Sequence, residues 1–157
     1  MIQLKPIAVG NWQAVIALKL APDQQDFVPS NLYSIAEAQF YPDAQSRAIY
    51  NLIEEIVGYA LYGRDVSTGK WKVFRIMIDA HYQGQGYGKA AMAAIIQEIS
   101  AKPRGNQILI RYQKENTVAK RLYTELGFVP ISTHEDSTVT AQLTLQYSPS
   151  DYRPPTY

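Results

Sequence analysis

The segment Gln83-Gly84-Gln85-Gly86-Tyr87-Gly88-Lys89 holds the residues best placed for chemistry. It follows an apolar run of strand character, Trp71 to Ile78, and opens a helical run, Lys89 to Ser100. Glycines ahead of a helix let backbone N–H groups converge on an anion with no side chain in the way. The helix adds its first unpaired N–H groups and the positive end of its dipole. The spacing predicts a phosphate cradle.

Two familiar phosphate loops do not fit it. A Walker A loop needs a hydroxyl after Gly-Lys, and here Ala90 follows Gly88-Lys89, with Gln83 where the first glycine belongs. A dinucleotide fingerprint needs a third glycine where Lys89 stands, and it opens its domain rather than lying mid-chain. What remains is Gln83-x-x-Gly86-x-Gly88. Downstream, Asn116, Ala119 and Tyr123 are spaced i, i+3, i+7, which predicts one helical face, with Gly127 as the stop before Phe128-Val129-Pro130. The two segments, in this order, resemble the pyrophosphate loop and the second signature of the GNAT N-acetyltransferases. The likeness extends from Ile2 to Leu145.

Composition agrees with a small enzyme. The 157 residues suffice for one domain with a proper core, expected over 1–147, and Ser148 to Tyr157, with three prolines, reads as an extended tail. A net charge of +1 carries no nucleic-acid footprint. No run is apolar or long enough to span a bilayer and the first residues lack a signal-peptide layout, so a cytoplasmic protein is expected. With no cysteine there is no disulfide, thiolate metal site or cysteine acyl-enzyme. His81 and His134 alone make a metal site improbable, and no metal is expected.

The elements that must position these residues read as a mixed α/β fold. Ile2 to Leu4 is a short strand. Asn11 is placed to cap a helix through Trp12, Val15, Ile16 and Leu18 that Pro22 ends, and Ser30 to cap another that Pro42 stops. Ala48 to Tyr50, Ile56 to Tyr62 and Lys70 to Ile78 read as antiparallel strands, the last two joined by the turn Asp65-Val66-Ser67-Thr68-Gly69. Met92, Ile95, Ile96 and Ile99 make a buried helical stripe; Ile108 to Ile110 and Thr140 to Leu145 are further strands.

The resemblance implies a mostly antiparallel sheet splayed in a V around acetyl-CoA. It places the pantetheine on the backbone of Ile76, Met77 and Ile78, much as an added strand would sit. The pyrophosphate falls on Gln83, Gly84, Gln85, Gly86, Tyr87, Gly88 and Lys89, and Asn116 and Ala119 hold the cofactor or the helix start. Acyl transfer needs an acid for the leaving thiolate, and Tyr123 is matched to that task. An oxyanion donor is expected among the N–H groups near Met77. Some relatives carry a glutamate where Arg75 stands, so a base must come from elsewhere.

The acceptor amine calls for carboxylates, because a desolvated ammonium without a counter-charge is costly. Asp23, Asp26, Asp43 and Glu54 are mainly surface candidates. The segment Phe27-Val28-x-Ser30-Asn31-x-Tyr33-Ser34-Ile35-Ala36-Glu37-Ala38, with Arg75-x-Met77-Ile78-Asp79, resembles the diamine (spermine/spermidine) acetyltransferase branch. That resemblance implies a polyamine acceptor and a homodimer, with Glu37 holding or deprotonating the amine and Glu55 second. Asp79 reads as a loop cap, and Arg75 as a partner for Glu37 or Asp79. A peptide or other small amine as acceptor, or a non-catalytic acyl-CoA-binding module, stays open.

Overall fold

The computed structural model describes residues 1–146; the extended tail expected from Ser148 onward lies outside the described residues. Strands β1 (Ile2–Pro6), β2 (Gln45–Asn51), β3 (Ile56–Arg64), β4 (Trp71–Ile78), β5 (Gln107–Gln113), β6 (Val129–Thr133) and β7 (Thr138–Thr144) form one sheet in the order β1-β2-β3-β4-β5-β7-β6. Every pairing is antiparallel except β4 with β5. This is the mixed, mostly antiparallel sheet expected. No helix among the described residues is long and apolar enough to cross a membrane.

Helices cover both faces. On one face α1 (Trp12–Ala17) and α2 (Asn31–Glu37) bury Val15 and pack Ile35 against Ala48, Tyr59, Leu61 and Met77. On the other, α3 (Tyr87–Ser100) and α4 (Thr117–Glu125) lay Met92, Ile95, Ile99 and Tyr123 over Ile49, Val57, Tyr62, Val73, Ile108 and Ile110. β3 lies between both layers, which explains why its sequence is an unbroken apolar run rather than an alternating one.

Local chemistry sets the ends of these elements. Ser30 accepts from the Tyr33 N–H and caps α2, as expected. The Asp65 carboxylate accepts from Ser67 and Thr68 and shapes the β3–β4 turn. Gly127, at φ +95, ends α4. Asn11 stands at the N-cap position of α1, but the expected side-chain cap is absent. Its Oδ1 accepts from the preceding Ala8 N–H and its Nδ2 donates to the Pro6 carbonyl, so it shapes the turn before the helix. That helix also stops at Ala17, and Pro22 opens a separate 3₁₀ turn, Pro22–Phe27.

One irregularity decides the layout of the site. Along the β3–β4 ladder Leu61 faces Arg75 and Tyr62 faces Val73, leaving Phe74 as an extra residue, a bulge on β4. Trp71 and Val73 before the bulge, and Ile76 and Ile78 after it, point to the α3–α4 layer. Phe74 and Met77 pack on the α1–α2 layer, and Arg75 reaches Glu37 there.

Candidate active site

β4 and β5 pair only over Trp71–Ile108, Lys72–Leu109 and Val73–Ile110. From Phe74 and Arg111 onward the strands part, and the opening holds a cleft of about 620 Å³, within the range of small-molecule and cofactor sites. Ile76, Met77 and Ile78 line one side; Asn116, Ala119, Leu122 and Tyr123 line the other. The ladder is thus interrupted at Phe74. Met77, near which an oxyanion donor is expected, lies on this unpaired stretch and lines the cleft.

The glycine loop closes one end of this cleft. Gly84 and Gly86 take the left-handed conformation, φ +76 and +83. The first helical bond of α3 runs from the Ala90 N–H to Gly86, and the N–H groups from Gln83 through Lys89 have no partner among the described residues. That is the backbone arrangement an anion cradle requires. The loop is fastened at its base: Gln83 donates to the Ile78 carbonyl at 2.9 Å and to Gln24 at 2.7 Å, so its side chain braces the turn. Tyr87, Gly88 and Lys89 line the cleft, with Lys89 also 3.7 Å from Glu125; Gln85 is exposed and lies outside the lining.

Asp79 is buried under the loop and acts as a cap. Its carboxylate accepts from the Lys19 N–H, the His81 N–H and the His81 ring. Burial opposes ionisation, but these donors outweigh it and hold the carboxyl below an aspartate's ordinary 3.8. A lowered pKa means stabilisation present in full above the ordinary value and lost as pH falls through the lowered one. We expect Asp79→Asn to cost about 1–3 kcal/mol at neutral pH in denaturant titrations. The deficit should begin to narrow as pH falls below the ordinary 3.8 and close once it has passed the lowered value; a gap independent of pH would remove the charge from the account.

On the opposite wall Asn116 is the N-cap of α4, accepting from the Ala119 N–H at 3.1 Å, so it shapes the helix start rather than joining its face. Tyr123 is buried against Tyr112 and Phe128, at ring separations of 5.5 and 5.9 Å. Its hydroxyl has no hydrogen-bond partner among the described residues, and it lines the cleft. Burial, then the neighbouring Tyr112, pushes the phenol well above its ordinary value. It therefore keeps its proton across the neutral range.

A second cleft, about 390 Å³, opens on the α1–α2 face. Both clefts touch Phe74, Arg75 and Arg111, the residues where the fork begins. Glu37 lines the second cleft but is already engaged: Arg75 reaches it at 3.1 Å and the Tyr41 hydroxyl donates to it, with the Tyr41 ring stacked on Phe74 at 4.2 Å. Of the two partners considered for Arg75, Glu37 is the one. Glu55 lies at the β2–β3 turn, held by Asn51 at 2.8 Å, and lines neither cleft.

The family model described as acetyltransferase (GNAT) family matches residues 12–128. The chain belongs to the GNAT family. Among curated relatives, a probable spermine N(1)-acetyltransferase of Bacillus subtilis subsp. natto is 28% identical over 133 residues, 81% of this chain and 87% of that one. Among solved structures, the ribosomal-protein-S18-alanine N-acetyltransferase of Escherichia coli has a TM-score of 0.71 at 16% identity, covering 98% of this chain and 99% of that one. Spermidine N-acetyltransferase from Vibrio cholerae, in complex with CoA and spermine, has a TM-score of 0.69 at 13% identity over 90% and 92%. At these identities the structural likeness shows the GNAT fold. GNAT acetyltransferases use acetyl-CoA, and the left-handed glycines, free N–H groups and opened β4 edge fit that molecule. Sequence reading missed Lys72, Arg111 and Tyr112; the one signal for them was charge or hydroxyl inside strands otherwise apolar.

Proposed function

We propose that this GNAT chain is an acetyl-CoA-dependent N-acetyltransferase of a small primary amine. The observation that carries it is the fork. A cradle of free N–H groups lies at one end, a buried protonated phenol lines the wall, and a second cleft reaches the apex from the opposite face. The neutral amine nitrogen attacks the thioester carbonyl carbon, the carbon–sulfur bond breaks as Tyr123 gives its proton to the departing sulfur, and the proton shed by the nitrogen passes through water to restore the phenol. Ile76, Met77 and Ile78 offer the pantetheine a strand edge, and Gln83 to Lys89 hold the pyrophosphate. We take the enzyme as a cytoplasmic homodimer acting without a metal ion.

Polyamines are the acceptor class that the Bacillus subtilis relatives support, at 27 and 28% identity. A specific observation favours a second class. Glu37 is already neutralised by Arg75, and Lys72 and Arg111 stand in the same cleft. The test is thiol release from acetyl-CoA across spermidine, spermine, putrescine, an aminoglycoside and a peptide; with no cysteine, the protein contributes no background. Saturable release supports the reaction, and a lead by spermidine or spermine supports polyamines. Acetyl-CoA binding with no turnover on any amine would favour the binding module.

A further inference from the structure

We infer that the second cleft carries an anion subsite, built by Lys72 with Arg75 and Arg111, which selects acceptors bearing a carboxylate or phosphate beside the amine. The inference rests on the N-acetyltransferase reading and names its substrate class. The cleft is lined by those three cations and by two carboxylates, Glu37 and Asp65. Both carboxylates already accept hydrogen bonds. Glu37 serves Arg75 and Tyr41; Asp65 Oδ2 takes the Ser67 hydroxyl at 2.7 Å and the Thr68 N–H and hydroxyl at 3.0 and 2.8 Å.

The cations are not all matched in return. Arg111 is held by Asp136 at 3.0 Å and by Thr138 at 2.7 Å. Lys72 has no carboxylate at ion-pair distance among the described residues, and its Nζ lies over the Phe74 ring, 5.5 Å from the centroid. Arg75 Nε is closed off from solvent and has no acceptor. Partial burial pushes the Lys72 ammonium below its ordinary value; Asp65 opposes this, while Arg111 and Arg75 add to it. A half-buried cation beside two others is a costly arrangement that an arriving anion relieves at Lys72, the buried Arg75 Nε staying out of reach. A polycation entering the same space meets like charge.

Position then assigns the anion its role. Lys72 lines only the second cleft, whereas Phe74, Arg75 and Arg111 line both. An acceptor anchored by its anion at Lys72 can extend its amine past Phe74 to the apex where the thioester carbonyl would lie. Carboxylate and phosphate share the charge-assisted hydrogen bonding that such a cluster offers.

The test compares γ-aminobutyrate, aminopropyl phosphate, n-butylamine and spermidine as acceptors at saturating acetyl-CoA, in wild type, Lys72→Met and Lys72→Arg. The acetyl-CoA KM serves as the check that the fold survives. One of the anionic amines should exceed butylamine in kcat/KM by roughly ten- to a hundredfold. Lys72→Met should erase that margin through KM, and Lys72→Arg should restore part of it. The winning arm tells carboxylate from phosphate. A lead by butylamine or spermidine that Lys72→Met leaves unchanged overturns the subsite while sparing the N-acetyltransferase reading. If nothing turns over, that reading fails, and titration of CoA-saturated protein with acetate and inorganic phosphate decides the subsite. Saturable binding that Lys72→Met weakens tenfold or more supports it; no binding, or binding indifferent to the substitution, overturns it.

Discussion

Tyr123→Phe should lower turnover by roughly ten- to a thousandfold while acetyl-CoA affinity persists. The substitution removes one oxygen from a ring packed between Tyr112 and Phe128 and leaves that packing in place. The hydroxyl gives up no internal hydrogen bond, so the folded state should lose little. Its loss should therefore appear in kcat with the acetyl-CoA KM nearly unchanged, because the cradle from Gln83 to Lys89 lies at the other end of the cleft. Steady-state kinetics alongside equilibrium CoA binding separate the two quantities. An unchanged kcat would remove Tyr123 from the proton transfer; a parallel loss of CoA affinity would make it a packing residue. Because burial raises its pKa, the wild-type rate should show no alkaline limb from this phenol below about pH 10.

The second large effect is on stability. Gly58 on β3 faces Ile78 on β4, and a Cβ built there meets the Met77 carbonyl oxygen at 2.3 Å, the Ile78 side chain at 2.9 Å and Ile49 at 3.2 Å. The nearest obstacle is backbone, so relief requires β3 and β4 to separate. Gly58→Ala should cost about 2–3 kcal/mol. That corresponds to a melting temperature lower by roughly 4–12 °C in a chain of this size. Because β4 also lines the cleft proposed for acetyl-CoA, affinity for that molecule should fall as well. A melting temperature unchanged within error would mean that the two strands yield more easily than their ladder implies.

Local features were the legible part of this chain. The cap at Ser30, the turn held by Asp65, the stop at Gly127 and the glycine cradle each depend on residues a few positions apart. Asn11 shows the limit even there. A capping residue type in a capping position still chose the Ala8 N–H over the helix, because the chain turns sharply out of β1. What sequence could not reveal is set by long-range pairing. The fork opens where β4 stops pairing with β5, a strand reached only after α3 intervenes. The second cleft gathers Glu37, Asp65, Lys72 and Arg111 from four separate segments. Glu37 was identifiable as an inward carboxylate, but its neutralisation by Arg75 depended on which way β4 turned that arginine.

Were β4 to alternate strictly through Phe74 with no bulge, Arg75 would fall on the same side as Trp71 and Val73, its guanidinium driven into the apolar layer beneath α3. The strand instead runs in two phases joined at that residue, and both Lys72 and Arg75 serve the chamber on the α1–α2 side while Ile76 and Ile78 serve the other. If the second chamber takes the amine, as proposed, amine preference can drift by substitutions there while thioester recognition in the other is left alone.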